Sequence, residues 1–415
     1  MAMMMKGRIF VGAVGVAAAI TVGGIVRRDA EAALPQSVRM EMLSSPAGPG
    51  AAESNLAVGA DGKVYLSWVE PAPDSQMALR FSTLSGTTWA APRTIRAGKD
   101  FFINWADFPS LSVHPNGRIA AHWLQRFDAK PYAYDVRIAT SGDGGRTWGA
   151  PVPPHVDRSE TEKGFVVMWP EGEGFGAVWL DGRNADKARP NPRQEMMLYA
   201  TPRAGVSPAV ETPLDPRVCD CCQTTIAMTA DGPIVAYRDR TADEVRDIYY
   251  VRRVGGKWTA PKAVHDDGWK INNCPVNGPM VAAAGKRVAL AWFTGAGGTP
   301  HVKVAFSSDA GATFSAPVTV DQGSPAGRVA SVLLPDGSAL VSWLERTGGD
   351  TASVLVRRVR ETGAGPVSAV ASSSAARASG FPRMAISGDY AYFSWTVPGR
   401  PSEVHVARAA TGQFR

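Results

Sequence analysis

Seven short segments of alternating apolar and polar residues recur along the chain, and each carries an aromatic residue at the same position. Successive aromatics are 51 to 58 residues apart, and they are Trp68, Trp123, Trp179, Tyr237, Trp292, Trp343 and Trp395. A period of two is typical of strands that bury one face. The pattern therefore predicts a repeated β unit.

A turn signal stands about seven residues before each aromatic. The signals are Asp61-Gly62, Asn116-Gly117, Glu173-Gly174, Asp231-Gly232, Gly285, Asp336-Gly337 and Gly388-Asp389. Such residues between alternating runs are the strongest local hairpin signal. Each unit is thus predicted to form four antiparallel strands, and their repetition predicts an all-β protein, a β-propeller.

The repeat predicts seven four-stranded blades, with six as the alternative if the irregular third unit is an insertion. The last unit begins near residue 381 and has room for only three strands. Residues 38–43, ahead of the first unit, are predicted to supply the missing outer strand and close the ring.

Two octapeptides repeat the pattern S-x-D-x-G-x-T-aromatic, which is an Asp box. Their defining residues are Ser141, Asp143, Gly145, Thr147 and Trp148 in the first, and Ser307, Asp309, Gly311, Thr313 and Phe314 in the second. The Asp carboxylate can accept hydrogen bonds from a tight turn, the Gly can take a positive φ, and the aromatic can pack beneath the hairpin. Asp boxes are therefore predicted to be structural.

The N-terminus carries an uncharged apolar run at residues 9–26, preceded by Lys6 and Arg8 and followed by Ala30-Glu31-Ala32. Residues 1–32 are predicted to be a cleaved signal peptide or an uncleaved membrane anchor. Either interpretation predicts an extracytoplasmic location, with residues 36–415 as a single propeller domain. We expect a monomer whose only membrane contact would be an uncleaved anchor.

Composition agrees with this prediction, because 43 Gly, 31 Pro and 12 Trp are typical of many short strands joined by turns. The net charge is +6, and the basic residues are scattered along the chain. Nucleic-acid binding normally requires a clustered basic surface, so no nucleic-acid partner is predicted.

The Asp boxes, their spacing and the leader together resemble the sialidase superfamily of BNR, or Asp-box repeat, proteins. The resemblance covers nearly the whole chain after about residue 36. It implies a propeller and, in sialidases, hydrolysis by a Tyr nucleophile with a partnering Glu. No Arg-Ile-Pro, the motif that supplies the first of three substrate-gripping arginines in that family, occurs here, and no Tyr and Glu pair stands out.

The four cysteines fall on two segments that lead into neighbouring blades: Cys219, Cys221 and Cys222 before the fourth, and Cys274 before the fifth. Equivalent segments of adjacent blades should meet at the channel rim, so we expect these cysteines to be neighbours. Three interpretations remain open: disulfides, for instance between Cys222 and Cys274; a copper or zinc site; and redox-active thiols. The sequence does not identify a cofactor beyond copper or zinc as candidates at these cysteines.

Charged loops are predicted on the same face, where guanidinium groups suit a carboxylate or sulfate. The candidate ligand-binding residues are Arg183, Arg238, Arg240, Arg246, Arg346 and Asn277, and the candidate catalytic acids are Asp181 and Asp239. The sequence thus predicts a propeller that binds, and in its enzymatic version hydrolyses, an anionic carbohydrate. The alternatives are a metal or redox propeller and an interaction scaffold, in which such Arg and Asp pairs only tie blades together.

Overall fold

The computed structural model describes residues 38–127, 133–184 and 196–415. The predicted leader lies outside these residues. Within them, no helix is long and apolar enough to cross a membrane. The helical elements of this described part are three single-turn 3-10 helices, at Ala296–Gly298, Arg377–Ser379 and Thr411–Gln413.

The strands form seven antiparallel sheets, which are the seven predicted blades. Before blade 1 lies β1, at Glu41–Leu43. Blade 1 contains β2 to β6, at Ala52–Val58, Val64–Ala72, Gln76–Ser85, Thr88–Trp89 and Arg93–Gly98. Blade 2 contains β7 to β9, at Ser110–Val113, Ile119–Arg126 and Tyr134–Ser141, and a bridge at Val152 takes the place of its fourth strand. Blade 3 contains β10 to β13, at Lys163–Glu171, Gly174–Asp181, Met197–Thr201 and Thr212–Asp215.

The second half of the ring repeats this plan. Blade 4 contains β14 to β18, at Thr225–Thr229, Gly232–Arg238, Ile248–Val254, Lys257–Trp258 and Lys262–Ala263. Blade 5 contains β19 to β22, at Met280–Ala284, Arg287–Thr294, His301–Ser307 and Val318–Thr319. Blade 6 contains β23 to β26, at Pro325–Leu333, Ala339–Gly348, Thr351–Arg360 and Gly363–Ser374. Blade 7 contains β27 to β29, at Arg383–Ser387, Tyr390–Val397 and Glu403–Ala410, together with β1.

The seven blades form one closed ring, and the six-blade alternative is wrong because the third unit is a complete sheet. The innermost strands contact one another in the order β2, β7, β10, β14, β19, β23 and β27, and β27 contacts β2. The predicted outer strand of the last blade is confirmed as β1, which pairs with β29. Glu41 in β1 also accepts a 2.8 Å hydrogen bond from Arg408 in β29.

The hydrophobic core lies between the blades. All seven repeating aromatics sit on the second strand of a blade and are buried. Each contributes to a layer of apolar side chains shared with a neighbouring blade or packed within its own sheet, as Trp179 does between blades 2 and 3. Contacts between neighbouring blades therefore complete the burial of these apolar faces.

Both Asp boxes occupy the turn after the third strand, as predicted. Asp143 Oδ1 accepts the N–H of Arg146 at 2.9 Å and of Thr147 at 3.0 Å, while the Thr147 hydroxyl donates to Oδ2 at 2.6 Å. Asp309 makes the matching bonds with Thr313, at 2.9 Å and 2.6 Å. The Thr hydroxyl and backbone donors hold the pKa of Asp143 well below its usual range.

The box aromatics join neighbouring blades. Trp148 of blade 2 packs edge-on against Phe81 of blade 1, and Phe314 of blade 5 packs in the same way against Tyr250 of blade 4. Gly145 takes a φ of +81°, and a Cβ there would lie 2.3 Å from Phe81. The glycine is therefore required both by the turn and by the close approach of the next blade.

Antiparallel order sorts the connections into two faces. The Asp boxes and first-to-second turns lie on one face, and the second-to-third loops lie on the other with the segments that precede each first strand. We call these the lead-in segments; those of blades 4 and 5 are residues 216–224 and 272–279.

Candidate functional site: a thiol cluster at the channel rim

The lead-in segments of blades 4 and 5 are in direct contact. Gly278 donates its N–H to the Gln223 side chain at 2.9 Å, and Gln223 reaches back to the Ala106 carbonyl of blade 2 at 2.6 Å. A Cβ on Gly278 would lie 2.1 Å from the Gln223 carbonyl oxygen, so only glycine permits this approach. The predicted meeting of the two cysteine-bearing segments is confirmed.

All four cysteines are free thiols. The Sγ atom of Cys219 lies 3.7 Å from that of Cys221 and 3.5 Å from that of Cys222. These three sulfur atoms lie within 4.8 Å of one another. They are too far apart for a disulfide, in which the sulfurs are about 2.0 Å apart.

A second group of donors adjoins the first and shares Cys221. The sulfur atoms of Cys221 and Cys274 and a carboxylate oxygen of Asp220 also lie within 4.8 Å of one another. Asp220 Oδ1 is 3.7 Å from the Cys274 sulfur. Cys219 and Cys222 are each 1% exposed, whereas Cys274 is exposed at the surface.

A buried cation stands beside the cluster. Arg246 Nη1 lies 3.4 Å from Cys219 Sγ and 3.5 Å from the Asp220 carboxylate. Burial opposes ionisation of Cys219, but hydrogen bonding with Cys221 and Cys222 and the charges of Arg246 and Arg238 outweigh it and hold the Cys219 pKa well below its usual value. These surroundings therefore favour the thiolate form of Cys219.

The pKa values of the other three thiols are shifted in different directions. Hydrogen bonding to its thiol neighbours raises the pKa of Cys221, and burial is the main cause that raises the pKa of Cys222. The pKa of Cys274 is lowered by its hydrogen bond from Cys221, against the effect of burial. The pKa of Cys221 is thus raised while the pKa values of its neighbours Cys219 and Cys274 are lowered.

The predicted arginines are on this face, and the side chains of all but Arg346 are bonded to groups of the protein itself. Arg183 pairs with Asp181 and Glu211, and Arg240 pairs with Glu244 at 2.6 Å. Arg246 contacts Glu244 as well as the cluster. Arg346 is exposed. Ligand binding by these side chains stays a prediction, and it would require the internal ion pairs to open.

Arg238 and Asn277 connect lead-in segments. Arg238 is 2% exposed and donates to the carbonyls of Asn277, Arg246 and Phe293 at distances between 2.6 and 3.0 Å. The Asn277 side chain accepts the N–H of Arg328 at 2.7 Å. Both residues hold the rim together around the cysteines.

The two predicted acids differ in their surroundings. Asp181 is fully buried and accepts the indole N–H of Trp179 at 2.8 Å as well as the guanidinium of Arg183. Asp239 is 8% exposed, and burial, with the nearby charge of Asp215, raises its pKa to about 7. A pKa near 7 suits a general acid, and the catalytic role of Asp239 stays a prediction.

A polar cavity of about 70 Å³ lies in the central channel. Asp107 and Arg383 line it together with Asn55, Ser110 and Gln223. Asp107 Oδ1 accepts the Phe165 N–H at 2.8 Å, and its buried Oδ2 has no hydrogen-bond partner within the described residues. Burial raises the pKa of Asp107 to about 7.

Near this cavity lies a Tyr and Glu pair that the sequence did not indicate. Tyr134 donates its hydroxyl to Glu162 at 2.5 Å, and burial raises the Glu162 pKa to about 8, with help from Asp220 and Asp107. The two residues come from β9 and the lead-in segment of blade 3, so no local motif joins them. Tyr134 is completely buried, stacked on Phe102 at 3.9 Å.

A larger groove of about 540 Å³ lies between blades 3 and 4 on the Asp-box face. Trp169, Trp258 and Arg253 are among its lining residues. Trp169 is near the end of β10 that is far from its lead-in segment. This groove is therefore separate from the cysteines and the channel acids.

The chain matches no protein-family model and no curated protein sequence. Among solved structures, it is similar to a GH93 α-L-arabinofuranosidase of Fusarium graminearum in complex with arabinobiose, with a TM-score of 0.53, 14% identity, and coverage of 91% of this chain and 99% of that one. An α-L-arabinanase of Penicillium chrysogenum complexed with arabinobiose gives a TM-score of 0.50, 13% identity, and coverage of 92% and 99%. The endosialidase of phage phi92 gives 0.50, 8% identity, and coverage of 90% and 69%. At these identities the likeness concerns the fold alone: the chain has the β-propeller architecture of these proteins.

Proposed function

We propose that this propeller binds a thiophilic metal ion, Zn(II) or Cu(I), through Cys219, Cys221 and Cys222. The observation that carries the proposal is the spacing of the sulfur atoms, 3.7 Å and 3.5 Å from Cys219 to its two neighbours. Thiolates that each lie about 2.3 Å from one metal are roughly 3.7 to 4.0 Å from one another. The cluster thus has almost the geometry of a three-sulfur coordination site.

The charge beside the cluster supports the same function. A structural cysteine in a protein core behaves as a small apolar side chain. Here a buried guanidinium, Arg246, contacts the Cys219 sulfur at 3.4 Å and favours its thiolate form. Thiolates, and not thiols, are the ligands of zinc and copper.

Metal analysis tests this proposal. Protein purified anaerobically without chelators is expected to take up Zn(II) or Cu(I), measured by plasma mass spectrometry and competitive titration. Cys222→Ser removes one ligand and should weaken binding by more than about 100-fold, since even loss of an outer hydrogen-bond partner of a metal ligand weakens binding 10–100-fold. Met228→Ser, which replaces an exposed sulfur side chain on the opposite face, is the matched control and should bind as the parent does.

Disulfides are the competing interpretation of the same residues. If protein collected with its thiols blocked at lysis contains two disulfides and takes up neither metal after reduction, the metal proposal fails. The leader predicts an extracytoplasmic location, where unprotected thiols oxidise. We propose that bound metal keeps these thiols reduced there.

Carbohydrate binding is the second candidate, and the observation that favours it is Asp107. Asp107 lines the channel cavity together with Arg383, and its buried Oδ2 has no hydrogen-bond partner within the described residues. A carboxyl with a pKa of about 7 suits a general acid. Two similar propellers were solved with arabinobiose. The guanidinium of Arg383 could in addition pair with the negative charge of an anionic glycan.

A panel of aryl glycosides, including sialosides and arabinofuranosides, tests the second candidate. If it holds, the protein releases the chromophore, and Asp107→Asn lowers kcat/KM by about 10²–10⁴-fold. Asp231→Asn, in the exposed first-to-second turn of blade 4, is the control. No turnover, combined with no heat of binding for the same sugars, would exclude the candidate.

A further inference from the structure

The thiol cluster contains two donor sets that overlap at one atom. Cys219, Cys221 and Cys222 form the inner set, and Asp220, Cys221 and Cys274 form the outer set. Within each set the ligand atoms are within 4.8 Å of one another. Cys221 Sγ is the atom common to both, and a thiolate sulfur has lone pairs enough to bind two metal ions at once.

We propose that the site is binuclear, with two Zn(II) ions bridged by the Cys221 sulfur. This inference rests on the proposed metal-binding function and adds to it the number of ions, their identity and the bridging atom. The inner ion is held by Cys219, Cys221 and Cys222, and the outer ion by Cys221, Cys274 and Asp220. Each ion keeps a fourth position for water, since zinc in proteins is usually four-coordinate.

The ligand types favour zinc over copper. The outer set combines the carboxylate of Asp220 with the sulfur atoms of Cys221 and Cys274. Zinc accepts carboxylate oxygen as well as thiolate sulfur, whereas the soft Cu(I) ion prefers sulfur alone.

Burial makes the two positions unequal. The inner cysteines 219 and 222 are each 1% exposed, whereas Cys274 of the outer set is at the surface. Water and chelators therefore reach the outer ion first. A binuclear site of this form loses its zinc in two kinetic phases, with the outer ion leaving in the fast phase.

Zinc stoichiometry in a set of variants tests the inference. The reduced full-length protein should bind two zinc ions, and a colorimetric chelator should remove them in two phases. Cys274→Ser and Asp220→Asn should each retain only the slow phase. Cys221→Ser should abolish both phases, because it removes the shared ligand. In the cobalt-substituted protein, the bridging sulfur should couple the two Co(II) ions antiferromagnetically.

The outcomes separate this inference from the function on which it rests. One zinc per chain, or one Cu(I) with no second ion, would overturn the binuclear site and leave the metal-binding function standing. If the parent binds two zinc ions and Cys221→Ser still binds one, the two sites are separate and the Cys221 sulfur is not a bridge. No metal at all would overturn both proposals. Asp231→Asn and Met228→Ser control for general effects, and circular dichroism checks that each variant is folded.

Discussion

Asp309 illustrates how far a single residue can be understood from its neighbours in sequence. Its carboxylate is bonded by Ser307 and Thr313, all within four positions. The sequence therefore predicted both Asp boxes and their turns. It could not predict that Gly311 would press against Ile234, 77 positions away, because that contact depends on how the next blade packs.

The lowered pKa of Asp309 predicts how the stability of the protein depends on pH. Hydrogen bonds led by that of the Thr313 hydroxyl lower its pKa from 3.8 to about 2. A pKa lowered by folding contributes stability above the unfolded value, and this contribution is lost as the pH falls from about 4 to 2. Asp309→Asn should therefore lower the free energy of unfolding by about 1–2 kcal/mol at pH 7, and the difference should shrink towards pH 2.

Urea unfolding of both proteins across this pH range measures the effect. Asp350→Asn, at an exposed turn, is the control and should change little. A difference between parent and Asp309→Asn that stayed constant down to pH 2 would contradict the charge-dependent part of this account.

At the scale of the strand, the same hydrogen bond from a Trp indole to a carboxylate recurs on the second strands of blades 1, 3 and 6. The indole N–H of Trp68, Trp179 and Trp343 is bonded to the carboxylate two positions further along, at distances of 2.5 to 2.8 Å. Asp181 is thus the equivalent of Glu70 and Glu345. The sequence showed that these tryptophans repeat, but it did not show which way each indole points and therefore which carboxylate its N–H contacts.

This equivalence predicts an architectural effect for Asp181. Asp181→Ala leaves the half-buried Arg183 with a single carboxylate partner, Glu211, and the Trp179 indole with none. Breaking a buried pair costs about 3–5 kcal/mol. Denaturant unfolding should show a free energy of unfolding lower by an amount near the lower end of this range, because Arg183 keeps its ion pair with Glu211. Glu361→Ala, at an exposed hairpin turn, is the control. Unchanged stability with loss of a glycosidase activity would instead support the catalytic hypothesis.

Three first strands share a second recurring element that the sequence did not reveal. Glu53, Phe165 and Arg328 have a φ of 54° or 55°, each two positions before its strand resumes regular pairing. Val276, four positions before β19, has a φ of 48°. Non-glycine residues rarely adopt this conformation, and a β-branched valine even less often. Propensity rules therefore gave no sign of the turns that aim Asn277 and the cysteines at the rim.

For the whole molecule, the period of the repeat carried most of the information. It predicted the ring, the outer strand of the last blade and the meeting of cysteines 52 residues apart, because equal units place equivalent segments side by side. It did not predict which charges pair, since Arg183, Arg238 and Arg240 find their partners through loop conformation. The contact between Tyr134 and Glu162 was not predicted either, because the two residues come from different blades and meet only through the loop conformation.

Ring closure by β1 makes a prediction at this scale. A chain that starts at residue 44 lacks the pairing of β1 with β29 and the buried side chain of Leu43. It should unfold with a free energy lower by about 2–4 kcal/mol, and its open edge should favour association. Calorimetry and light scattering measure both effects. Met42→Ser, which alters an exposed side chain of β1, should match the parent, and equal melting of the shortened chain would contradict closure by this strand.

The same closure sets a schedule for biosynthesis. Glu41 and Arg408 are 367 positions apart, yet they lie on adjoining strands. A ribosome that adds about 5–20 residues per second needs roughly 20–70 s to span that interval. β1 must stay unpaired with β29 throughout, so the final blade is completed only after β29 has been translated.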